Sequence, residues 1–302
     1  MIPRWQSVLL RMALTSLGLA VTVLPRAVEL FVGPRLGRFL LVLGGGRRRV
    51  ADENLRRCFP RLDESARLAL LRQNYEHYGV LVFELLHLFS PLPGHYRRYV
   101  ARTSKLSGFE NWKKAHDLGR GVLFVSSHLG NWEMMVAAGS LAGMPITMVT
   151  KRLKPAWLHE RVEASRLSVG ARGAYEPRTL PAVMRALRGN ESVGFVMDQY
   201  AGPPIGIPVP FFGVKVGTLA AVSTLAQRTG AAIVPVKTYR DRRGLVRVCV
   251  EPMMELNALV TSEEETTAAL AGKVEGWVRE HPSQWLWIHQ RFKNVVWPEH
   301  LP

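Results

Sequence analysis

The run Gly121-Val122-Leu123-Phe124-Val125-Ser126-Ser127-His128-Leu129-Gly130-Asn131-Trp132-Glu133 decides how the chain reads. Val122 to Val125 is an uninterrupted apolar run rich in β-formers, which predicts a strand covered on both faces. Ser126 and Ser127 end it. Asn131 to Leu141 reads as a helix, with Trp132, Val136 and Ala137 at helical spacing. Positions five apart on one helix diverge by roughly 140°. His128 and Glu133 therefore meet only if His128 sits in the loop and Glu133 in the first turn, where a carboxylate suits the positive helix N-terminus. Glu133 then accepts the imidazole Nδ1–H and leaves Nε2 as a base. Alone, a His-x4-Glu spacing is more often a hydrogen-bonded loop histidine beside a surface carboxylate. Its place at a strand end shifts that balance, because open α/β sheets bind ligands there.

The chain has 302 residues, enough for one large domain or two small ones. Hydrophobic residues make up 47%, and the mean hydropathy of +0.02 is high for a soluble enzyme. A net charge of +16 implies an anionic partner: an anionic membrane, an acidic protein or nucleic acid. Nucleic acid is disfavoured, because the basic residues are dispersed and the N-terminus is apolar. Cys58 and Cys249 show no metal or disulfide spacing and suit a reducing compartment. The histidines lack ligand spacing, so no metal site is expected. No phosphate-binding loop or dinucleotide fingerprint occurs; Gly44-Gly45-Gly46 is too bare to count.

Residues 5 to 24 are predominantly apolar with Arg11 as their one charge and are closed by Pro25-Arg26; a second apolar segment runs from Ala27 to Leu43. With Val8 to Leu10 the first segment reaches spanning length if Arg11 snorkels. No small-x-small cleavage site follows, so residues 1–45 read as an uncleaved anchor that spans or lies in the interface. An ordinary buried helix pair is the alternative. Arg47-Arg48-Arg49 then suits anionic headgroups and a cytoplasmic orientation. Asp63 to Phe89 reads as an amphipathic helix, in one piece or in two around Gly79. Lys105 to Phe109 reads as a short strand. From Pro145 onward strand and helix alternate: strand 145–150, helix 156–167, helix 180–188, strand 192–197, helix 219–228 with Thr218 as N-cap, strand 231–236, an antiparallel pair at 238–239 and 246–250, and helix 263–280. That alternation predicts an α/β fold with a mostly parallel central sheet flanked by helices. Asp198-Gln199 follows the strand ending at Met197, a second polar strand end beside the first. The Pro/Gly-rich stretch 202–213 reads as a rigid loop whose Phe211 and Phe212 line an acyl pocket or cap the core.

Ser127-His128-Leu129-Gly130-Asn131-Trp132-Glu133 resembles the His-x4-acid motif of the glycerolipid acyltransferase superfamily. Its Gly-Asn-Trp-Glu form is similar to the branch containing the bacterial lipid A late acyltransferases. Four further stretches match in order: Arg47-x-x-Val50-Ala51-x-x-Asn54-Leu55, Asp198-Gln199, Val209-Pro210-Phe211-Phe212-Gly213, and Pro282-x-Gln284-Trp285-Leu286-Trp287-x-His289-x-Arg291-Phe292-Lys293. Tyr200 departs from the acidic variant of the second. On its own residues, the last stretch reads as an amphipathic segment with interfacial tryptophans.

The resemblance implies an acyltransferase domain over residues 46–302. It implies acyl transfer from a thioester, with acyl carrier protein favoured over coenzyme A, to a hydroxyl of a lipid A precursor. No other cofactor is implied. His128 is expected to act as base and Glu133 to orient it, with transfer direct and no acyl-enzyme. Asn131 or helix-start N–H groups are expected to hold the oxyanion. By resemblance Arg166 binds the acceptor headgroup, with Lys151 and Arg152 beside it, while Lys154 and Arg161 read as a solvated basic face. Asp198 and Gln199 complete the site. A monomer on the cytoplasmic face of the inner membrane, in contact with anionic lipid, is expected. Alternatives are another lipid acceptor, such as a lysophospholipid or an aminolipid, and a non-catalytic protein that binds anionic lipid.

Overall fold

The computed structural model describes residues 4–255 and 262–297. Four helices come first: α1 (Arg4–Val23), α2 (Arg26–Leu43), α3 (Gly45–Cys58) and α4 (Glu64–Leu86). The α/β body follows as α5 (His95–Thr103), β1 (Ser104–Ser107), α6 (Phe109–His116), β2 (Val122–Ser126), α7 (Trp132–Leu141), β3 (Ile146–Val149), α8 (Ala156–Ser168), β4 (Arg172–Ala174), α9 (Thr179–Arg188) and β5 (Ser192–Val196). A hairpin, β6 (Gly206–Phe211) and β7 (Val214–Leu219), precedes α10 (Ala221–Thr229), β8 (Ala232–Arg240), β9 (Val246–Val250) and α11 (Glu263–Glu280).

Seven strands form one sheet in the order β1-β9-β8-β2-β5-β3-β4. Every pairing is parallel except β8 with β9. Its central strand is β2, buried at every residue. Leu123 and Val125 join one core with α4, α11 and the hairpin, while Val122 and Phe124 join a second core with α5, α6 and α7. Burial on both faces is why the strand reads as a continuous apolar run rather than an alternating one.

Several expectations are corrected. The stretch 202–213 is not wholly a loop: residues from Gly206 pair with β7 as a hairpin. Pro208 and Pro210 hide it in the sequence. The two-residue turn at Phe212-Gly213 makes Phe211–Val214 a bonded pair, so both prolines aim their missing donors at the unpaired edge, the one place a strand tolerates them. Thr218 lies inside β7 and caps no helix; its Oγ1 bonds to Val216 O. The strand expected over 105–109 stops at Ser107, and Phe109 opens α6. The expected strand 231–236 and the pair at 238–239 merge into one long strand, β8, which starts at Ala232. The edge strand β4, only three residues long, has no counterpart among the expected elements.

The segment 1–45 is not uniform. Helix α1 is apolar and long enough to cross a membrane, and only 11% of its span is buried. Helix α2 is built into the body by its crossing with α4. A Cβ on Gly79 would lie 1.9 Å from Gly33 O, and one on Gly37 would lie 2.0 Å from Tyr75 O. The crossing thus depends on backbone-to-backbone approach that only glycine permits. It also explains why α4 runs unbroken through Gly79.

Candidate active site

The site is built by strand register. β2 and β5 pair in parallel with Ser126 opposite Val196. His128 and Asp198 each lie two residues past that pair, so the sheet delivers them to the same edge side by side. His128 Nδ1 lies 2.7 Å from Asp198 Oδ1. The other carboxylate oxygen accepts the His128 backbone N–H at 2.7 Å and the Trp285 indole N–H at 2.6 Å. Asp198 is therefore a buried acceptor held at both oxygens, and the His128 ring is oriented through Nδ1. Nε2 faces outward at a side chain that is 17% exposed, with the Gln199 amide 3.4 Å away. The Trp132 ring packs edge-on against the imidazole at a centroid distance of 4.9 Å.

This corrects the expected partner. Glu133 makes no hydrogen bond to His128; it grips Arg166 through two bonds of 2.6 and 3.0 Å. Helix α7 starts at Trp132, so Glu133 is in its first turn as expected, but its side chain turns toward α8 rather than the strand-end loop. Arg166 is correspondingly not a free hand: its fork is taken by Glu133, and burial would disfavour its charge but for that carboxylate. Lys151 and Arg152 are exposed on the loop leaving β3, at the same sheet edge as His128, with Arg152 over the Tyr175 ring.

Asn131 is also committed. Its Oδ1 caps α7 by accepting from Met134 N at 3.0 Å, and its Nδ2 donates to Glu84 at 2.9 Å. The side chain has no room for an oxyanion. What remains is the helix start: the cap satisfies the third N–H, and those of Trp132 and Glu133 have no intrahelical partner. Glu84 is fully buried and accepts from Arg240 at 2.6 and 2.8 Å and from Arg26. Burial would raise its pKa, but the two guanidiniums hold it down to about 2.

The tail after α11 is buried rather than interfacial. Trp285 and Trp287 are 2% and 0% exposed. Leu129 bridges Trp285 in the backbone, and Gly130 N donates to Gln284 O. Asn74 and Tyr78 on α4 donate to Trp285 O, and Asn54 on α3 donates to Trp287 O and His289 O. Arg291 donates to Gln199 O, Gly217 O and Thr218 Oγ1. The tail thus clamps the two strand ends that carry His128 and Asp198. Its motif was visible in the sequence; indole N–H groups in search of an acceptor were the available signal. Among the described residues no group of three or more His, Cys, Asp or Glu side chains is poised for a metal.

Burial alone would lower the His128 pKa; the Asp198 carboxylate outweighs it, with Glu133 adding from a distance, so the value is raised. Burial would likewise raise Asp198, and His128 and Trp285 bring it down. A base works only when neutral. Activity that depends on His128 therefore falls as pH drops through the raised value, and the acid limb of kcat/KM is expected above the ordinary imidazole pKa of about 6.5. A pH profile between 5 and 9 checks this on the order of tenths of a pH unit; a limb at or below the ordinary value would remove Asp198 as the dominant neighbour.

Comparison with known proteins bears on the reaction. A family model described as bacterial lipid A biosynthesis acyltransferase matches residues 3–294. The chain is 27% identical over 315 residues to the lipid A biosynthesis lauroyltransferase of Escherichia coli (strain K12), with 100% of this chain and 98% of the relative covered. It is 29% identical over 277 residues to that organism's lipid A biosynthesis palmitoleoyltransferase, covering 90% and 87%. A phosphatidylinositol mannoside acyltransferase of Mycolicibacterium smegmatis is 30% identical over 180 residues, covering 57% and 56%.

Proposed function

The chain belongs to the bacterial lipid A biosynthesis acyltransferase family, and from that premise we propose that it moves a fatty acyl chain from a carrier-protein thioester to a hydroxyl of a lipid A precursor. The observation that carries the mechanism is His128 Nδ1 held on buried Asp198 with Nε2 facing outward. In that tautomer Nε2 takes the acceptor hydroxyl proton as the oxygen attacks the thioester carbonyl. Asp198 stabilises the imidazolium. The Trp132 and Glu133 N–H groups, at the positive end of α7, face the developing oxyanion. Collapse breaks the C–S bond, and the thiolate leaves with the proton returned from His128. The balance closes without an acyl-enzyme or a further cofactor.

Glu133 acts on this dyad through charge and through its hold on Arg166. Lys151 and Arg152, exposed at the same edge, take the acceptor phosphate by charge-assisted bonds. The net charge of +16 favours both an acidic carrier protein and an anionic membrane surface. The apolar, largely unburied helix α1 supports attachment to the inner membrane, and the basic cluster 47–49 supports a site on the cytoplasmic side.

The test is acyl transfer in detergent with carrier-protein thioesters and a tetraacylated lipid A precursor. The expected product is the precursor heavier by one acyl chain, with no acyl adduct on the protein when acceptor is withheld. A stable adduct overturns direct transfer. The mannoside relative gives specific reason for a second reading: acylation of a lysophospholipid or glycolipid alone keeps the dyad and moves the acceptor.

A further inference from the structure

Helix α1 is apolar around most of its circumference, with Trp5, Leu9, Met12 and Val23 among its exposed side chains. One stripe differs. Ser7, Arg11 and Thr15 follow at intervals of four and lie on one face. That face meets α8, where Trp157, Glu160, Arg161 and Ala164 occupy an i, i+3, i+4, i+7 stripe. The Trp157 indole donates to Ser7 Oγ at 2.7 Å. At the other end α1 comes against Phe89, where a Cβ on Gly18 would lie 2.5 Å from the backbone carbon. Between these contacts is a groove of about 350 Å³ lined by Arg11, Thr15, Phe89, Trp157, Glu160 and Arg161 among others. That is within the roughly 300–1,000 Å³ of small-ligand sites.

The charges in this groove are not balanced. Arg161 is half-buried and donates to Ser90 O, and no ion pair to Arg161 or Arg11 occurs among the described residues. Two guanidiniums converge on one groove, against the single exposed carboxylate of Glu160. Arg161 is partly desolvated and Arg11 stands exposed beside it, so an anion arriving between them relieves the like-charge contact and gives the half-buried guanidinium a partner. The groove opens beside the apolar surface of α1, so an anion arriving with hydrocarbon attached satisfies both surfaces at once. Arg166 is five residues from Arg161 and points roughly 140° away around α8, toward Glu133. The groove is therefore separate from the His128 site.

We propose that this groove holds the phosphate of an anionic membrane lipid that is not the reacting acceptor. Arg11 and Arg161 take the phosphate oxygens, Thr15 supplies a hydroxyl, and the acyl chains lie along α1. The bound lipid sets how deep α1 sits, since it supplies at Arg11 the counter-charge that a bare bilayer core lacks. The inference goes beyond acyl transfer and does not rest on it.

The test uses the full chain in a His128→Ala background, so that turnover cannot intervene. Binding is measured to phosphatidylcholine vesicles with and without phosphatidylglycerol. Arg11→Gln with Arg161→Gln is compared with a charge-matched control on α9, Arg185→Gln with Arg188→Gln. The groove pair is expected to lose on the order of 100-fold in preference for the anionic vesicles, and the control less than about tenfold. Equal losses overturn the site and leave only diffuse surface charge. Arg11→Glu, at an exposed position, keeps the test decisive where Arg161→Gln disturbs α8, and Arg161→Lys is expected to retain most of the preference. Displacement of the vesicles by millimolar inorganic phosphate at constant ionic strength reassigns the groove to a soluble phosphate and overturns the lipid.

Discussion

Asp198→Asn is expected to lower kcat for acyl transfer by about 10²–10⁴-fold, close to the loss expected for His128→Ala. The amide retains the shape of the carboxylate, but its NH₂ offers a donor where the His128 N–H groups and the Trp285 indole need acceptors. It also removes the charge that stabilises the imidazolium. The two substitutions differ in what survives. Asp198→Asn retains an imidazole, and its residual activity is expected to show an acid limb moved down from the wild-type position, because Asp198 is the neighbour that outweighs burial. Glu133→Gln also loses turnover, by freeing Arg166 in the wall of the site. Its acid limb stays nearer wild type, since Glu133 contributes least among the groups acting on His128. Steady-state kinetics across pH separate the two carboxylates. An Asp198→Asn enzyme with normal turnover and an unmoved limb removes Asp198 from the dyad.

Glu84→Gln is expected to destabilise the fold by about 3–5 kcal/mol, with Tm falling on the order of 10 °C. Glu84 has no exposed side-chain surface and neutralises Arg240 and Arg26 together. Removing its charge leaves Arg240 buried without a carboxylate, while Arg26 retains Glu29. The effect reaches the site as well. Asn131 Nδ2 loses its charged acceptor, and the first turn of α7, with the N–H groups proposed to hold the oxyanion, loses a fixed anchor. Thermal unfolding in detergent reads the first effect and kcat the second. A Tm within about 2 °C of wild type would falsify the view that Glu84 is the counter-charge for both arginines.

The sequence located both members of the dyad but not their pairing. His128 and Asp198 each stood out as polar residues ending an apolar strand. That they face one another depends on β2 lying beside β5 in register, a long-range fact with no local trace. Local spacing offered Glu133 instead, and a carboxylate in a helix's first turn satisfies the helix whether or not it touches the histidine. Asn131 was assigned a chemical role although Asn at that position is also a common N-cap. The prolines of β6 concealed a strand because local propensity does not register an unpaired edge. Trp285 and Trp287 looked interfacial because a tryptophan with one polar atom suits a membrane surface and a buried hydrogen bond equally well. The parallel sheet and most helices were legible because their apolar periodicity is long and unbroken.

The clamp on Asp198 has a consequence in time. Trp285 lies 87 residues beyond the carboxylate it holds. At synthesis rates of about 5–20 residues per second, roughly 4–17 seconds separate the appearance of the two. Helix α1 has left the ribosome long before either. An apolar helix long enough to cross a membrane is therefore complete while the strand ends that carry His128 and Asp198 still lack their clamp. On the proposed function, attachment then comes first and the catalytic arrangement last, so a chain halted short of Trp285 is expected at the membrane with His128 and Asp198 unclamped.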